Sequence, residues 1–255
     1  MFQNAIVRTP ANTLISGLTT SAQLGIPDYE LALIQHQNYI TALEQCGVEV
    51  TVLPALPEFP DSCFVEDVAL LTEKMALLTR PGALSRRDEV ATIESSINSF
   101  FKKSTARISE PGTLEAGDVL QIDNHFFIGL SQRTNLLGAE QMIKSVLHFG
   151  YTASMIELKD FLHLKTGVSY LGNKHLLVSG ELIDHKEFSH LKQIKIDPDE
   201  AYAANSIVVN GTVLMPHQHP QTRKAITELG FSVIELEVSE FRKVDGGLSC
   251  LSLRF

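Results

Sequence analysis

Residue types that cooperate in nucleophilic catalysis stand at separate points of this chain. Cys250 follows a glycine pair in "KVDGGLSCLSLRF", His163 lies in "FLHLKTG", and Glu66 and Asp67 are adjacent in "CFVEDVALL". A thiolate attacks an electron-poor carbon, an imidazole carries protons, and carboxylates hold a cation. Together these side chains predict cysteine chemistry on a positively charged substrate.

Each of these residues also has an ordinary structural interpretation. A single cysteine on a strand is usually a small buried hydrophobe, which is what we expect of Cys46 and Cys63. A histidine between leucines is usually a core residue with its hydrogen bonds satisfied. The adjacent acids are harder to explain this way, because carboxylates among apolar residues are costly to bury without a partner. The "HQH" stretch at residues 217–219 lacks a third ligand nearby in sequence, so we expect no zinc there.

The composition predicts an ordinary globular protein. The 255 residues are 44% hydrophobic and 20% charged, which suits a single catalytic domain over residues 1–255. The net charge of -9 disfavours nucleic acid and anionic membranes as partners. No apolar run is long enough to span a bilayer and no signal segment is evident, so we expect a cytoplasmic protein. A homodimer is compatible with the sequence, which does not determine the oligomeric state.

Strand pairs joined by two-residue turns recur along the chain. The expected turns are Glu73-Lys74, Asp123-Asn124, Gly172-Asn173 and Asn210-Gly211, and several of these residue types tolerate a positive φ. After three of the hairpins come a helical stretch and a third strand. The helical stretches are residues 85–103, 134–148 and 220–229.

The two ends of the chain supply a further unit of the same kind. If "GLSCLSL" pairs with "NAIVRTP", the helix at residues 28–46 and the strand "VEVTVL" complete it. The stretch "ELIDHKEFSHLKQIKI" gives the weakest helical pattern. The sequence thus predicts an α/β fold, a closed ring of five ββαβ modules with pseudo-fivefold symmetry. An open α+β sheet is the alternative.

A closed ring would bring the equivalent strand ends of the modules together on its axis. These positions hold Cys250, His163, the Glu66-Asp67 pair, and Glu115 with Asp118 in "LEAGDVL". The ring therefore predicts one pocket that contains a thiol, an imidazole and several carboxylates.

Several motifs in order resemble one enzyme family. They are "FPDSCFVEDVALL", "TRPGALSRRDE", "GTLEAGDVL", "GLSQRTNLLGAEQM", "LHLKTGVSYL", "YAANSIVVN" and "DGGLSCLSLRF". Over residues 8–255 the chain resembles the dimethylarginine dimethylaminohydrolases, members of the guanidino-modifying superfamily with the pentein fold of five ββαβ modules. The only departure is small: Cys63 stands where a larger aliphatic residue would serve equally well.

The resemblance implies a reaction and the residues that carry it. Cys250 would attack the guanidinium carbon of Nω-methylated arginine, and His163 would protonate the departing methylamine or dimethylamine and then activate water. Glu115 would hold the imidazole and the substrate's nitrogens, and Asp67 would clamp the guanidinium. The covalent intermediate is a thiouronium, the product is citrulline, and no cofactor or metal takes part.

The resemblance also implies how the rest of the substrate is held. Arg86 and Arg133 would grip the α-carboxylate, a task suited to a bidentate guanidinium. Asp61 would meet the α-amino group, and a loop at Leu18 would close over the site. The other predicted substrate contacts are Glu66, Val244 and Phe64, the last as an apolar face against the methyl groups.

Three rival functions remain at this point. The same chemistry serves arginine deiminases, amidinotransferases and hydrolases of citrulline, although the chain is shorter than a deiminase with its added helical domain. A catalytically silent ring that binds amino acids is a second possibility, and Cys250, His163 and Glu115 argue against it. A structural interaction module is a third, for which a pocket of buried acids would be a costly design.

Overall fold

The computed structural model describes residues 1–101 and 104–255. The chain divides into two compact units, one of Met1–Val65 and Gly167–Phe255 and the other of Glu66–Thr166. No helix in the described ranges is long and apolar enough to cross a lipid bilayer.

The strands of the described residues form five separate three-stranded sheets. In each sheet the middle strand pairs antiparallel with one neighbour and parallel with the other. The first unit holds β1 (Asn4–Arg8), β2 (Glu49–Leu53), β9 (Val168–Gly172), β10 (His175–Val178), β11 (Lys192–Lys195), β12 (Ile207–Val209), β13 (Thr212–Pro216), β14 (Ser232–Leu236) and β15 (Leu253–Arg254). The second unit holds β3 (Ala69–Leu71), β4 (Ala76–Leu78), β5 (Thr105–Arg107), β6 (Val119–Ile122), β7 (His125–Leu130) and β8 (Thr152–Glu157).

A helix links the two parallel strands in four of the five sheets. These helices are α1 (Tyr29–Gln45), α2 (Glu89–Phe100), α3 (Leu136–His148) and α4 (Pro220–Glu228), and a short α5 (Ser239–Arg242) follows β14. In the sheet β9-β10-β11 the link consists of the 3₁₀ turns Gly180–Leu182 and Lys186–Phe188 instead. This is the module that the sequence marked as the weakest.

Local capping explains where the helices begin and end. The Asp28 side chain accepts a hydrogen bond from the backbone N–H of Leu31 at 3.0 Å, and α1 starts at Tyr29, directly after Asp28. Gly150 follows α3 with a φ of 82°, the left-handed conformation that stops a helix cheaply only at glycine. A helix was predicted at residues 85–103, and the observed helix α2 is shorter, at Glu89–Phe100. The last two predicted residues, 102 and 103, lie outside the described residues.

The module built from both ends of the chain is confirmed. Strand β1 pairs antiparallel with β15, Ala5 opposite Arg254, and parallel with β2. Together with α1 this gives the fifth ββαβ module. The five separate sheets exclude the single open sheet that was the alternative. Closure of the modules into a ring and the single domain over 1–255 stay predictions.

Two details differ from the sequence prediction. Cys250 does not lie in a strand: it lies in the 3₁₀ turn Ser249–Leu251, and β15 begins only at Leu253. The turn between β9 and β10 falls on Asn173-Lys174, because Gly172 still belongs to β9. The register of this hairpin shifts between His175 and Leu176.

Candidate active site

The adjacent acids each have a separate cationic partner. In the second unit, an oxygen of the buried Asp67 accepts a hydrogen bond from Nη1 of Arg86. Oε1 of Glu66 lies 2.6 Å from Nζ of Lys165. These cations offset the cost of burying the two carboxylates. Lys165 could not be predicted as this partner from the sequence, because no local spacing connects it with Glu66.

Glu115 and His163 form a buried ion pair. Oε2 of Glu115 lies 2.8 Å from Nε2 of His163, and Oε1 accepts from the backbone N–H of Ala83 at 3.0 Å. Nη1 of Arg133 donates to the same Oε1 at 3.4 Å. Burial would raise the pKa of Glu115, but the hydrogen bond from His163 and the charges of His163, Arg86 and Arg133 outweigh it and lower the pKa to about 2.

His163 is surrounded by carboxylates. Burial alone would lower its pKa, but the negative charges of Asp67 and Asp118 and the contact with Glu115 raise it to about 9. Oδ1 of Asp67 lies 4.0 Å from Nε2 of the ring. The imidazole is therefore protonated at neutral pH, which is the state of a general acid.

Asp118 holds the segment that carries the histidine. Its side chain is fully buried, Oδ1 accepts from the backbone N–H of Leu164 at 3.0 Å, and Oδ2 accepts from Oγ of Ser131 at 2.7 Å. Burial raises the pKa of Asp118 to about 6, against the opposing influence of His163 and these hydrogen bonds. Asp118 was predicted to lie near the site, but no role was predicted for it. In the structure its carboxylate binds the backbone of Leu164, directly after His163.

Gly117 allows two of these side chains to approach each other. A Cβ atom at this position would lie 2.8 Å from Oδ1 of Asp67 and 2.9 Å from Cγ of His163. Its backbone N–H also donates to Oδ1 of Asp67 at 3.2 Å. The glycine in "GTLEAGD" is thus required by a close contact inside the site.

Arg86 is clamped between two carboxylates. Besides its contact with Asp67, its Nη2 donates to Oε2 of Glu89 at 2.9 Å and its Nε donates to Oε1 at 3.1 Å. Glu89 was not among the predicted site residues, although its position three residues after Arg86 at the start of α2 is a signal for such a pair. Arg133 is more accessible, with 18% of its side chain exposed against 5% for Arg86.

One group of side chains in the described residues has the spacing of a metal site. Asp67, Glu115 and His163 each offer a ligand atom, and these atoms lie within 4.8 Å of one another. Arg86 and Arg133 already contact the two carboxylates, and their positive charges oppose a divalent cation there. The cluster is better suited to an organic cation that donates hydrogen bonds.

In the first unit, Cys250 lies in a buried turn next to polar side chains. Only 8% of the residue is exposed, and its backbone N–H donates to the carbonyl of Gly247 at 3.1 Å. Oγ of Ser249 lies 3.9 Å from Sγ. Burial raises the pKa of Tyr202, and the charge of Cys250 raises it further, so the phenol stays neutral. Cys250 therefore belongs to a partly polar environment in spite of its apolar neighbours.

Asp61, Leu18 and Val244 lie around Gly17. Oδ1 of Asp61 accepts from the backbone N–H of Leu18 at 2.9 Å. A Cβ at Gly17 would lie 3.0 Å from that Oδ1 and 3.2 Å from Cγ1 of Val244. The structure thus brings together these three predicted substrate contacts of the first unit.

Phe64 belongs to the same apolar cluster as Cys250 and Val244. Its ring is buried and meets the ring of Phe241 edge to face, with 6.1 Å between the centroids. Gly246 packs so closely on the Phe64 ring that a side chain there would overlap it. The glycine pair before Cys250 is thus explained in part by this contact.

Comparison with known proteins identifies relatives along the whole chain. Residues 27–251 match the family model described as "N,N dimethylarginine dimethylhydrolase, eukaryotic". N(G),N(G)-dimethylarginine dimethylaminohydrolase of Pseudomonas aeruginosa is 50% identical over 255 residues, which are 100% of both chains.

Two solved structures agree closely with this fold. A mutant of the Pseudomonas aeruginosa enzyme in complex with citrulline has a TM-score of 0.99 and 49% identity and covers 100% of both chains. A dimethylarginine dimethylaminohydrolase variant captured as an adduct with S-methyl-L-thiocitrulline has a TM-score of 0.98 and 49% identity, again with full coverage. These similarities confirm the α/β pentein fold class predicted from the sequence.

Proposed function

Since the chain belongs to the dimethylarginine dimethylaminohydrolase family, we propose that Cys250, His163 and Glu115 carry out its reaction. The chain is a hydrolase that converts Nω-methylated arginine to citrulline and releases methylamine or dimethylamine. The observation that best supports these roles is the buried Glu115–His163 pair, in which the imidazole keeps a proton at neutral pH.

The carboxylates would hold the substrate's guanidinium. Asp67 now accepts a hydrogen bond from the guanidinium of Arg86, so its environment already suits such a group. We expect the substrate to replace Arg86 at Asp67, while Glu115 accepts from another of the substrate's nitrogens. The carboxylates keep the guanidinium group planar and cationic. Its carbon therefore stays electrophilic and correctly oriented for attack.

The first half-reaction breaks the bond to the methylated nitrogen. The thiolate of Cys250 forms an S–C bond with the guanidinium carbon and gives a tetrahedral adduct. His163 donates its proton to the methylated nitrogen, the C–N bond breaks, and the amine leaves. The enzyme then carries a thiouronium on Cys250 and a neutral imidazole.

The second half-reaction restores the enzyme. Neutral His163 takes a proton from a water molecule as that water attacks the thiouronium carbon. The S–C bond breaks, Cys250 leaves as the thiolate, and the hydroxyl group of the adduct releases its proton to solvent, which gives neutral citrulline. The proton on His163 is the one needed for the next turnover, and the anionic Glu115 stabilises it.

The other predicted residues would bind the amino-acid end of the substrate. Arg133, the more exposed of the two arginines, and Arg86, released from Asp67, would hold the α-carboxylate. Asp61 would accept from the α-amino group, next to the backbone of Leu18 that it already contacts. Val244 would close this end of the pocket.

The remaining substrate contacts concern the methylated end and its surroundings. Phe64 would present an apolar face to the methyl groups. Glu66 would act through its pair with Lys165, beside Asp67. We also propose a reducing compartment such as the cytoplasm, a proposal supported by the three free cysteines.

A substrate panel tests this function. Purified protein is offered dimethylarginine, monomethylarginine, arginine and citrulline, and both the ureido product and the released amine are quantified. We expect the methylated arginines to give the highest kcat/KM. Turnover of arginine or citrulline with equal or higher efficiency would contradict the proposed substrate class.

A further inference from the structure

The side chain of Asn205 makes two hydrogen bonds to the residue that precedes Cys250. Oδ1 of Asn205 accepts from the backbone N–H of Ser249 at 2.9 Å, and Nδ2 donates to Oγ of Ser249 at 3.1 Å. Both residues are buried, with exposed fractions of 6% and 3%. Gly247 makes room for the amide, since a Cβ there would lie 2.5 Å from Oδ1.

These contacts fix the orientation of the Asn205 amide. A backbone N–H only donates, so the atom that faces it is the amide oxygen. The NH₂ group then points to Oγ of Ser249, and the serine oxygen acts there as an acceptor. The hydroxyl proton of Ser249 is not used in this contact and is directed elsewhere.

Sγ of Cys250 lies within reach of that proton. The distance from Oγ of Ser249 to Sγ is 3.9 Å, the range of hydrogen bonds to sulfur, which is larger and softer than oxygen. A hydrogen bond to an anion is stronger than one to a neutral group, so this contact gains strength when the thiol loses its proton. Tyr202 also interacts electrostatically with Cys250, and the guanidinium of Arg242 lies 4.6 Å above the Tyr202 ring.

We propose that the Ser249 hydroxyl donates a hydrogen bond to the Cys250 thiolate and that Asn205 sets the direction of this hydroxyl. Ser249 then contacts the reacting atom itself, and Asn205 is a positioning residue that acts through it. The hydrogen bond raises the fraction of thiolate near neutral pH, which is the form that attacks. The inference rests on the proposed function in that it takes Cys250 as the nucleophile.

The direct test is the pH dependence of alkylation of Cys250. With Cys46 and Cys63 replaced by serine, Cys250 is the only thiol, and its reaction with iodoacetamide is followed from about pH 5 to about pH 10. Ser249→Ala is expected to shift the midpoint of this profile upward by about one pH unit. Alkylation below the midpoint then becomes about tenfold slower.

Matched variants separate the hydrogen bond from general damage. Ser249→Thr keeps the hydroxyl and should restore the original profile. Ser252→Ala removes a neighbouring buried hydroxyl that bonds to Tyr39 and Arg254, and it should leave the midpoint unchanged. An unshifted profile in Ser249→Ala, or an equal shift in Ser252→Ala, would overturn the inference.

Asn205→Asp tests the orienting role. The carboxylate still accepts from the Ser249 N–H but also attracts the hydroxyl proton, so the hydroxyl turns away from Sγ. The midpoint should rise for two reasons. The thiolate loses the hydrogen bond from the Ser249 hydroxyl, and the new carboxylate adds a negative charge near it. Both substitutions remove the same hydrogen bond to Sγ. The variant that combines Asn205→Asp with Ser249→Ala should therefore shift the alkylation midpoint by less than the sum of the two single shifts. Additive shifts would mean that Asn205 does not act through Ser249.

The alkylation experiment can be interpreted independently of the test of the proposed function. Alkylation reports on the thiol whether or not the protein turns over methylarginine. If Cys250→Ser keeps full turnover, the assigned nucleophile is wrong whatever the profiles show. If Cys250→Ser is inactive and Ser249→Ala keeps the original profile, only the role of Ser249 is refuted.

Discussion

Oε2 of Glu115 lies 2.8 Å from Nε2 of His163, and both side chains are buried. Water does not screen this contact, so it couples the protonation of the two groups strongly. Against the effect of burial, the charges of Asp67 and Asp118 together with this contact raise the pKa of His163 to about 9, and the contact helps to lower the pKa of Glu115 to about 2.

Replacement of His163 by glutamine is expected to slow the hydrolysis of dimethylarginine by about 10² to 10⁴ in kcat, because the departing amine loses its proton donor. The effect should be smallest with S-methyl-L-thiocitrulline, whose thiolate leaving group needs no proton. Steady-state kinetics with both substrates provide the measurement. Equal impairment on the two substrates would assign His163 a structural role.

The stability of the protein should fall as the pH rises through the titration of His163. Its pKa is about 9 in the folded state and 6.5 as the ordinary value, so between these pH values the folded protein holds a proton that the unfolded chain has lost. The free energy of unfolding is then highest below about pH 6.5 and decreases toward about pH 9, by on the order of 1 to 3 kcal/mol. Urea unfolding across this range measures it. A similar decrease in His163→Gln would assign the effect to other groups.

Cys250→Ser is expected to abolish turnover while substrate still binds, because a hydroxyl is a much weaker nucleophile than a thiolate. Binding is followed by calorimetry and turnover by citrulline formation. Cys46→Ser and Cys63→Ser serve as controls, which should change stability more than rate. Retention of more than a few per cent of the activity in Cys250→Ser would remove this thiol from the mechanism.

Gly117→Ala should lower kcat/KM by about 10-fold to 100-fold, because the added methyl group displaces the Asp67 carboxylate or the His163 ring. The matched control is Ala116→Gly, which removes a buried methyl group from the same turn. The control should cost about 1 kcal/mol of stability with little change in rate. Full activity of Gly117→Ala would show that the cluster tolerates a shift of these side chains.

Phe64→Leu should lower the preference for dimethylarginine over arginine by about 10-fold in kcat/KM, because the ring no longer leaves an N–H of unmethylated arginine unpaired against an apolar face. The control is Phe241→Leu, which alters the same aromatic pair. Both variants should lose stability, but only the first should change the ratio. An unchanged ratio in Phe64→Leu would exclude it as the specificity determinant.

The repeated modules could be predicted from the sequence because their signals are local. Asn210 and Gly211 adopt the positive φ values of a tight turn, and Asp28 caps α1 at its first turn. The partners of buried charges could not be predicted in this way. Glu66 pairs with Lys165, which lies 99 positions away in the sequence, and only the tertiary structure determines this pairing.

The turn that holds Cys250 illustrates the same limit. The apolar stretch "GLSCLSL" is typical of a strand, but the hydrogen bonds between Asn205 and Ser249 favour a 3₁₀ turn there. Asn205 lies 44 positions away in the chain, so nothing local in the sequence signals this competition. The module that holds Cys250, the proposed nucleophile, could therefore be predicted, but the backbone conformation of this residue could not.

The pairing of β1 with β15 has a consequence for folding kinetics. The hairpins about Asp123 and Asn210 close short loops, whereas Ala5 and Arg254 meet across nearly the whole chain, which costs the most loop entropy and forms slowly. The Cys250 turn adjoins this late contact. We therefore expect the thiol to remain exposed after the hairpins have formed during refolding, and a reductant to raise the refolding yield by protecting it from oxidation.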